Sequence, residues 1–266
     1  MDKSNKKVAV ITGASKGIGR ATAKVFEESG YKVYGISRSG EGEDGVTNVK
    51  CNVTDKSALE KIYADIYGKE GRIDVLVNNA GLGISGAVEF TTDEQVDKIM
   101  SLNVAALEVS CRLALKYLRE SKGRIINLSS VAGVLPIPFQ TYYTLTKSAV
   151  LNFSRALDLE TRPLGVRVTA VLPGDTKTGF TAARDKNFAG EEVYGDRIKR
   201  SVERMEKDEQ NGASPEKVAK TILRQANKRS PKTFVVVGFG YKFLVVLSRI
   251  LPTRFVDRLL YQLYAK

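Results

Sequence analysis

The feature that most constrains the fold of this 266-residue chain is a repeated alternation of short apolar segments with longer segments of helical period. Seven short segments have the nearly continuous apolar character of buried β-strands. They are Lys7–Thr12, Lys32–Ser37, Thr47–Val53, Asp74–Asn78, Gly123–Ser129, Val166–Leu172 and Thr233–Val237. The helical patterns between them are Ile18–Ser29, Lys56–Tyr67, Asp93–Leu118 with an expected break near Ala105, Tyr142–Arg162 and Pro215–Lys228.

This alternation predicts one doubly wound α/β domain of the Rossmann type, with a seven-stranded parallel sheet covered by helices on both faces. No stretch rich in proline, glycine and serine divides the chain, and no internal repeat is visible. We therefore expect one domain over residues 1–240, carrying a lid at about 175–212. Residues 241–266 form a predicted C-terminal amphipathic helical extension, which Pro252 interrupts.

The absence of histidine excludes two large classes of catalytic site. Ser-His-Asp and Cys-His catalysis both require an imidazole, which is also the commonest metal ligand in proteins. The two cysteines, Cys51 and Cys111, are too far apart in the sequence for a C-x-x-C zinc or thioredoxin-like site. They could form one disulfide, but two buried thiols, as are usual in the cytoplasm, are favoured. We expect a cytoplasmic protein without a metal centre.

The net charge of +12, from 42 Lys and Arg against 30 Asp and Glu, makes nucleic-acid binding one alternative. The positive charges are spread along helical segments and are not interleaved with aromatic residues. A basic surface that attracts an anionic cofactor is favoured instead, so no nucleic-acid partner is expected. The segment Met1–Lys7 lacks the apolar run of a secretory signal, and no window approaches the roughly 20 apolar residues of a membrane-spanning helix.

A glycine-rich turn follows the first predicted strand directly and opens the first predicted helix. In Thr12–Gly19 the glycines permit close approach of a pyrophosphate, and the helix N-terminus supplies oriented N–H donors. A tight turn without a ligand is the alternative, but the position between strand and helix is the one that a dinucleotide-binding motif requires. The predicted contacts of this turn are Gly13, Ser15, Lys16, Gly17, Ile18 and Gly19.

The end of the second predicted strand favours NADP(H) over NAD(H). Ser37 and Arg38 occupy the place where NAD-binding folds usually carry an acidic residue for the ribose 2′-OH, and the next carboxylate is Glu41. A guanidinium can hold a 2′-phosphate with two hydrogen bonds, whereas an acid would repel it. Lys16 adds a second positive charge from the glycine turn. NADP(H) is therefore the predicted cofactor, with Ser37 and Arg38 among its contacts.

Further motifs follow in order along the chain. They are Asn78-Asn79-Ala80-Gly81 after the fourth strand, Asn103 in the next helix, Ser129-Ser130 at the end of the fifth strand, Tyr143 and Lys147 in the following helix, and Pro173-Gly174 after the sixth strand. Together with the G-x-x-x-G-x-G spacing after Thr12, these motifs resemble the short-chain dehydrogenase/reductase family, near its hydroxysteroid dehydrogenase-like members. The resemblance covers at least Lys7 to Thr178.

Tyr143 and Lys147 are spaced i, i+4, which places both side chains on one face of a helix. A free phenol has a pKa of about 10, and nearby positive charges lower it. We expect Lys147, together with the positive nicotinamide of the oxidised cofactor, to lower the pKa of Tyr143. Tyr143 would then donate a proton to a carbonyl oxygen during reduction and remove it during oxidation. The adjacent Tyr142 has no lysine at +4, so we expect it to pack or to line the substrate wall.

The family resemblance implies the roles of the other catalytic residues. Ser130 would hydrogen-bond the substrate oxygen, and Asn103 would anchor a water that links Lys147 to solvent. Lys147 would also hold the ribose of the nicotinamide half. Ser129 is expected to be structural.

The resemblance also implies further contacts with the cofactor. Asn78 and Gly81 would shape the adenosine side of the cleft, and Thr178 would orient the carboxamide. Asn52 stands where the family often has an aspartate next to the adenine. Beyond the glycine turn, the implied contacts are Ser37, Arg38, Asn52, Val53, Asn79, Ala80, Gly81, Tyr143, Lys147, Pro173, Gly174, Thr176 and Thr178.

Two segments near the C-terminus are expected to shape substrate access. Asp175–Gly212 is charged and without clear strands, and it is predicted to cover the substrate. The candidates for an apolar ceiling are Phe180, Phe188, Val193 and Tyr194. In the tail, Arg254 and Arg258 share a helix face that Phe255 and Leu259 do not. Contact with a membrane or a lipid-like substrate, and packing on the domain or on a second subunit, both stay open for this tail.

The predicted function is that of an NADP(H)-dependent oxidoreductase that interconverts a carbonyl and a secondary alcohol on a hydrophobic substrate such as a hydroxysteroid. The alternatives are reduction of a 3-oxoacyl or other lipid-type ketone, a redox-neutral epimerase or dehydratase, and a catalytically silent NADP(H)-binding regulatory protein. The resemblance also implies a homodimer or homotetramer formed through the helices at Asp93–Leu118 and Tyr142–Arg162.

Overall fold

The computed structural model of the chain describes residues 6–266 and contains a seven-stranded sheet. The order of the strands is β3-β2-β1-β4-β6-β7-β9, and every pair is parallel. The strands are β1 (Val8–Thr12), β2 (Lys32–Ser37), β3 (Thr47–Lys50), β4 (Val75–Asn78), β6 (Arg124–Leu128), β7 (Arg167–Pro173) and β9 (Phe234–Val237). The predicted doubly wound parallel sheet is therefore confirmed, and its order reverses between β1 and β4.

Ten α-helices connect and cover the strands within the described residues. They are α1 (Gly17–Glu28), α2 (Lys56–Glu70), α3 (Asp93–Met100), α4 (Ala106–Ser121), α5 (Thr141–Thr161), α6 (Glu191–Tyr194), α7 (Arg197–Gln210), α8 (Pro215–Asn227), α9 (Phe239–Ile250) and α10 (Thr253–Tyr264). Local signals set several of their ends. Asp55 caps α2 by accepting from the Ala58 N–H at 3.0 Å, and Gly71 ends it in a left-handed conformation.

The sheet is buried on both faces, which explains why its strands are apolar throughout. All five residues of β1 are buried, and alternate side chains enter two different cores. Val8 and Val10 pack in the cluster that contains Tyr63 of α2 and Leu118 of α4. The other two apolar residues, Ala9 and Ile11, pack in the cluster that includes Phe26 of α1 and Ile222 of α8.

The break expected near Ala105 is a π-helical turn over Ser101–Ala105, between α3 and α4. A capping box at Thr92 and Gln95 starts α3, and the wider turn then carries Asn103 into the interior. This local irregularity delivers a buried amide to the edge of the sheet at which the strands end.

The segment between β7 and α8 contains more regular structure than the sequence predicts. A two-residue strand, β8 (Asp185–Lys186), pairs with β5 (Ile84–Ser85) in the loop after β4. The Asp185 N–H donates to the Gly83 carbonyl at 3.0 Å, and the Asn187 N–H donates to that of Ser85 at 2.8 Å. The expectation of no strand in this segment is thus wrong at one point, because a pair this short has no pattern that a sequence could display.

Cys51 and Cys111 are both buried and unbonded to each other. Residues 1–5 lie outside the described residues. They include the start of the predicted domain and most of the segment Met1–Lys7. No helix between residues 6 and 266 is both long and apolar enough to cross a membrane. Within the same range, no group of three or more acidic, Cys or His side chains is arranged to hold a metal ion.

Candidate active site

The glycine turn after β1 is shaped by contacts that only glycine permits. Gly13 adopts φ +69°, and a Cβ there would lie 2.8 Å from Nδ2 of Asn79. A Cβ at Gly19 would clash with the carbonyl oxygen of Gly13, so α1 can begin this close to the turn only with glycine at that position. The turn is thereby packed directly against the end of β4.

The first turn of α1 fits an anionic group. Lys16 is the N-cap residue, no side chain caps the helix, and the first turn carries no acidic residue. The backbone N–H groups and the positive end of the helix dipole are thus left for a phosphate. Across the cleft, the Thr178 side chain lies 3.4 Å from where a Cβ of Gly17 would be, so the space between the turn and the loop after β7 is narrow. Ser15 and Ile18 lie in the same turn and are both partly buried.

Lys16 and Arg38 are both exposed, and neither takes part in a salt bridge between residues 6 and 266. The carboxylate of Glu43 is paired with Arg20 on α1 at 2.6 Å. Ser37 is buried, and its hydroxyl accepts from the Gly40 N–H at 3.1 Å, so it shapes the loop after β2. Two positive side chains therefore remain free for an anion at this end of the cleft.

Asn52 and Val53 follow β3. The Asn52 side chain is exposed, and its Oδ1 accepts from the Thr54 N–H at 3.3 Å, which closes a local turn. Val53 is buried in the core. Both residues lie at the carboxyl end of their strand, on the side where the resemblance implies an adenine contact.

Asn79 and Ala80 are bound to the glycine turn through Thr12. The Thr12 hydroxyl accepts from the backbone N–H groups of Asn79 at 3.0 Å and Ala80 at 3.1 Å. The Asn79 amide donates back to the carbonyls of Thr12 at 3.0 Å and Gly13 at 3.2 Å. This clamp fixes the turn relative to β4. It shows a positioning role for Asn79 that the sequence motif alone does not reveal.

Asn78 does not face the cleft, so the expectation that its side chain shapes the adenosine side is wrong. Its amide lies in a buried hydrogen-bond chain, accepting from Ser110 at 2.6 Å and donating to Asn127 at 2.9 Å. Tyr63 extends the chain at one end and Ser154 at the other. Because strand side chains alternate, Asn78 points to the side of the sheet opposite to its neighbour Asn79. The network therefore ties α2, α4 and α5 to the central strands.

Ser130, Tyr143 and Lys147 meet at the carboxyl end of the sheet, where the geometry of a doubly wound fold places a ligand. The Lys147 ammonium lies 5.5 Å from the centre of the Tyr143 ring and donates to the Leu128 carbonyl at 2.9 Å. The Ser130 hydroxyl lies close enough to Tyr143 to lower the pKa of its phenol, and it accepts from the Ala132 N–H at 3.1 Å. Ser129 donates to the Lys147 carbonyl at 2.7 Å, which agrees with the structural role expected of it.

Asn103 is buried beside this group. Its side chain exchanges two hydrogen bonds of 2.9 Å with the backbone of Leu82 and donates to Thr146 at 3.1 Å. A Cβ at Gly81 would lie 3.1 Å from Oδ1 of Asn103 and 3.7 Å from Nζ of Lys147. The π-helical turn, the loop after β4 and α5 are thus joined within a few ångströms of the lysine.

Burial raises the pKa of Tyr143 to about 12, although the Ser130 hydroxyl and the charge of Arg184 act in the opposite direction. Glu209 and Asp175 add to the increase. In the protein's own residues desolvation outweighs the nearby charges, so the predicted lowering of the Tyr143 pKa stays a prediction for the complex with the oxidised cofactor. Burial also lowers the pKa of Lys147 to about 8, which leaves the lysine partly neutral just above physiological pH.

Of the four predicted ceiling residues, only Phe180 contacts Tyr143. The centres of the Phe180 and Tyr143 rings are 5.9 Å apart. Phe188 and Val193 are largely exposed, and Tyr194 packs on Phe139 at 5.7 Å instead. Tyr194 thus packs with α7 side chains, and a ceiling formed by Phe188 and Val193 stays a prediction.

Several residues at this site carry no sequence signal that could have found them. Arg184 is buried over the Phe180 ring and forms an ion pair with Glu209, an acceptor also used by Thr181. The Tyr241 hydroxyl donates to Asp175, in the loop after β7. A Cβ at Gly174 would clash with the Tyr241 ring, so this glycine makes room for the C-terminal tail.

The remaining residues of the loop after β7 are placed as follows. Pro173 ends β7, the Thr176 hydroxyl donates to the Gly174 carbonyl at 2.9 Å, and Thr178 accepts from the Phe180 N–H at 3.1 Å. The loop lies opposite the glycine turn and beside Tyr143. The described residues thus fit a dinucleotide bound across the switch in strand order, with its reactive end at Tyr143.

A doubly wound sheet with this turn defines a dinucleotide-binding α/β protein. The family model for short chain dehydrogenases matches residues 7–188, and the chain belongs to this family of oxidoreductases, which use a nicotinamide cofactor. The chain is 39% identical over 235 residues to a 3-ketodihydrosphingosine reductase of Bacteroides thetaiotaomicron, covering 87% of each chain. It is 32% identical over 193 residues to a 3beta-hydroxysteroid dehydrogenase of Mediterraneibacter gnavus, covering 68% of this chain and 70% of that one.

The fold is similarly matched by a solved structure, a short-chain dehydrogenase from Streptomyces avermitilis. Its TM-score is 0.82 at 27% identity, over 98% of this chain and 97% of that one. The predicted family and fold are therefore confirmed along nearly the whole chain, including the segments after residue 188 that the family model does not reach.

Proposed function

We propose that this protein is an NADP(H)-dependent reductase of a hydrophobic ketone, acting on it reversibly to give a secondary alcohol. The observation that carries the proposal is the meeting of Ser130, Tyr143 and Lys147 at the end of the cleft opposite the glycine turn. A protein that only senses the cofactor has no need of a partly buried phenol with a serine hydroxyl and a lysine beside it.

The chain's own residues supply the proton chemistry of this reaction. The bound nicotinamide would supply the hydride. Tyr143, with a pKa near 12, keeps its proton at neutral pH and can donate it to the substrate oxygen during reduction. Ser130 would hold the same oxygen, and Lys147 would stabilise the phenolate that forms as the proton leaves. Asn103 fixes the backbone beside Lys147 and would support the water through which the tyrosine is reprotonated.

The preference for NADP(H) is supported by charge. Lys16 and Arg38 are the free positive side chains at the ends of the glycine turn and of β2, and Glu43 is neutralised by Arg20. Changing Arg38 to Asp removes one cation and adds a repelling anion beside the 2′-phosphate. We expect the KM for NADPH to rise by roughly tenfold to a hundredfold, with the KM for NADH unchanged or lower. Equal efficiencies of the wild-type protein with the two cofactors would overturn the assignment.

A long-chain lipid ketone is the substrate class that we favour. The relative with 39% identity is a reductase of 3-ketodihydrosphingosine, and Phe180 gives the wall beside Tyr143 an apolar surface. A hydroxysteroid is the second candidate, supported by the 3beta-hydroxysteroid dehydrogenase at 32% identity. A 3-oxoacyl thioester is a further lipid-type alternative.

The experiment that tests the function is NADPH oxidation, followed by its absorbance, with four kinds of ketone. These are 3-ketodihydrosphingosine, a ketosteroid, a 3-oxoacyl thioester and a short-chain ketone. We expect net consumption of NADPH that is fastest with a lipid ketone. Product formed without any cofactor consumption would identify a redox-neutral epimerase or dehydratase. Cofactor binding with no turnover of any substrate would identify a silent regulatory protein.

Assembly and location are proposed on separate grounds. Members of the family often form oligomers, and we propose a homodimer or homotetramer formed through the helices α3, α4 and α5. A cytoplasmic location is supported by the two buried, unbonded thiols. Light scattering coupled to size-exclusion chromatography tests the first proposal directly.

A further inference from the structure

The helix α9 has an apolar outward face in addition to the face that packs on the domain. Its inward residues Tyr241 and Val245 join a cluster with side chains of β7 and β9. The outward residues Phe239, Phe243, Val246 and Ile250 follow a spacing of i, i+4, i+7 and i+11, which is one stripe of a helix. Their exposed fractions are 88%, 61%, 57% and 74%.

The helix α10 repeats this arrangement. Its inward residues Val256, Leu260 and Tyr264 are spaced four apart and pack on the domain. An outward set with the same spacing, Phe255, Leu259 and Leu263, is between 44% and 56% exposed. We call the two outward sets together the tail stripes.

Exposed apolar side chains of this size are concentrated in the tail. Fifteen large hydrophobic residues are exposed among the described residues, and nine of them lie between Phe239 and Leu263. Single exposed hydrophobic residues are ordinary on a protein surface, but a continuous helical stripe marks an interaction site. The tail stripes therefore require a partner.

The charge of the tail indicates the chemistry of that partner. Between residues 239 and 266 there are five basic residues and one acidic residue, Asp257. The basic residues are Lys242, Arg249, Arg254, Arg258 and Lys266. A two-fold contact with a second copy would bring these like charges together. An anionic bilayer surface complements both the charge and the apolar stripes.

The tail is attached to both sides of the substrate entrance. Through α9, Tyr241 donates to Asp175 and lies against Gly174 in the loop after β7. Through α10, Ala265 packs on α7 of the lid, and its carbonyl accepts from Nε of Arg197 at 2.7 Å. A membrane bound by the tail would thus lie next to the opening through which a lipid reaches Tyr143.

We propose that α9 and α10 bind the surface of an anionic lipid bilayer through the tail stripes. This binding places the substrate entrance at the membrane. The proposal rests on the proposed function only in taking the substrate to be a lipid. The binding itself requires neither cofactor nor turnover.

Flotation of the full-length protein with phospholipid vesicles tests this proposal. We expect binding to vesicles of phosphatidylcholine with phosphatidylglycerol, and weaker binding to phosphatidylcholine alone. Replacing Phe239, Phe243 and Ile250 together by serine should weaken binding by tenfold or more. Each change removes one large apolar side chain from the lipid interface. The double change Arg254→Gln and Arg258→Gln should lose about fivefold per arginine on anionic vesicles only. The matched control, Leu164→Ser with Val193→Ser, changes exposed apolar residues outside both the tail and the proposed subunit interface, and it should bind as the wild type does.

Two further measurements separate the possible failures. NADPH oxidation with a short-chain, water-soluble ketone reports the catalytic site without a membrane, so its absence in the wild type contradicts the proposed function and not the membrane proposal. Light scattering reports assembly. Three outcomes would overturn the membrane proposal. The first two are failure of the wild type to bind vesicles and equally strong binding by the serine variant. The third is dissociation of an oligomer in the serine variant, which would show that the tail stripes form a subunit interface. The arginine variant, which leaves the apolar packing intact, provides the same test if the serine variant does not fold.

Discussion

Tyr143, the proposed proton donor, shows how strongly a residue's chemistry depends on what surrounds it. Tyr142 and Tyr143 are adjacent and chemically identical, yet only Tyr143 has a lysine on its face of α5 and the Ser130 hydroxyl beside it. Burial raises the pKa of this phenol, so in the protein alone the phenol keeps its proton at neutral pH. The base function that we propose for it would therefore depend on positive charge brought close to it.

Replacing Tyr143 by Phe removes the proton donor and leaves the ring in place. We expect turnover to fall by about a hundredfold to ten-thousandfold, because general acid catalysis contributes on that order. Binding of NADPH, measured by its fluorescence, should be retained. Tyr142→Phe is the matched control and should keep most of its activity. Comparable losses in both variants would contradict the assignment of Tyr143.

The pH dependence of reduction should follow Lys147 and not Tyr143. The pKa of Lys147 is lowered to about 8, so its charge is present below that pH and lost above it. The phenol stays protonated until about pH 12. We expect kcat/KM for ketone reduction to decline as the pH rises through about 8. A Lys147→Arg variant keeps its charge throughout and should lack this decline, whatever its absolute rate. A decline of the same midpoint in that variant would assign the titration to another group.

At the scale of elements, the site depends on how closely α1 approaches the end of β4. The turn at Gly13, the start of α1 and the Asn79 amide occupy one small volume, clamped by Thr12. The clamp positions the helix N-terminus, and with it the donors that a phosphate would meet. Packing at this point therefore serves binding and stability together.

A pair of glycine-to-alanine changes tests this packing. In Gly19→Ala the added methyl meets the Gly13 carbonyl, so we expect loss of NADPH binding and a lower free energy of unfolding. Gly68→Ala, in α2, adds its methyl where nothing lies within 4 Å. That variant should gain roughly 0.5–1 kcal/mol of stability from its better helix propensity and keep its cofactor affinity. Urea unfolding and NADPH fluorescence measure the two effects, and an equal outcome for both variants would contradict the geometry.

At the scale of the whole molecule, a second polar centre holds the sheet together at the end away from the active site. Asp158 of α5 is fully buried and is bound by Arg167, Arg162 and the Val168 N–H. Burial alone would raise the pKa of Asp158, but these hydrogen bonds hold it below its ordinary value. The centre joins the helix that carries Tyr143 to β7, whose end leads into the loop beside Tyr143.

Asp158→Asn should destabilise the fold by about 2–4 kcal/mol at neutral pH, because it leaves two guanidinium groups without their anion. Since the folded pKa is lowered, the contribution of Asp158 is present above its unfolded pKa and is lost as the pH falls through the folded value. The difference between wild type and variant in urea unfolding should therefore shrink in acid. Asp65→Asn, at an exposed position of α2, is the control and should change stability little. A constant difference across the acid range would show that the charge of Asp158 is not what stabilises the contact.

The sequence by itself determined the features that depend on local period and spacing. These are the order of strands and helices, the glycine turn, the i, i+4 pair of Tyr143 and Lys147, and the absence of histidine. Each follows from backbone geometry within a few residues, or from composition, and both are visible without the fold. The family follows from the joint order of these motifs.

Only the tertiary structure decided the features that depend on burial and on contacts distant in the chain. The direction of the Tyr143 pKa, the inward turn of Asn78 and the selection of Phe180 over three other lid residues are of this kind. So is the contact of Tyr241 with Asp175, which are 66 residues apart. The desolvation of a residue and the direction of its side chain depend on what packs around it. No local sequence pattern encodes the identity of those neighbours.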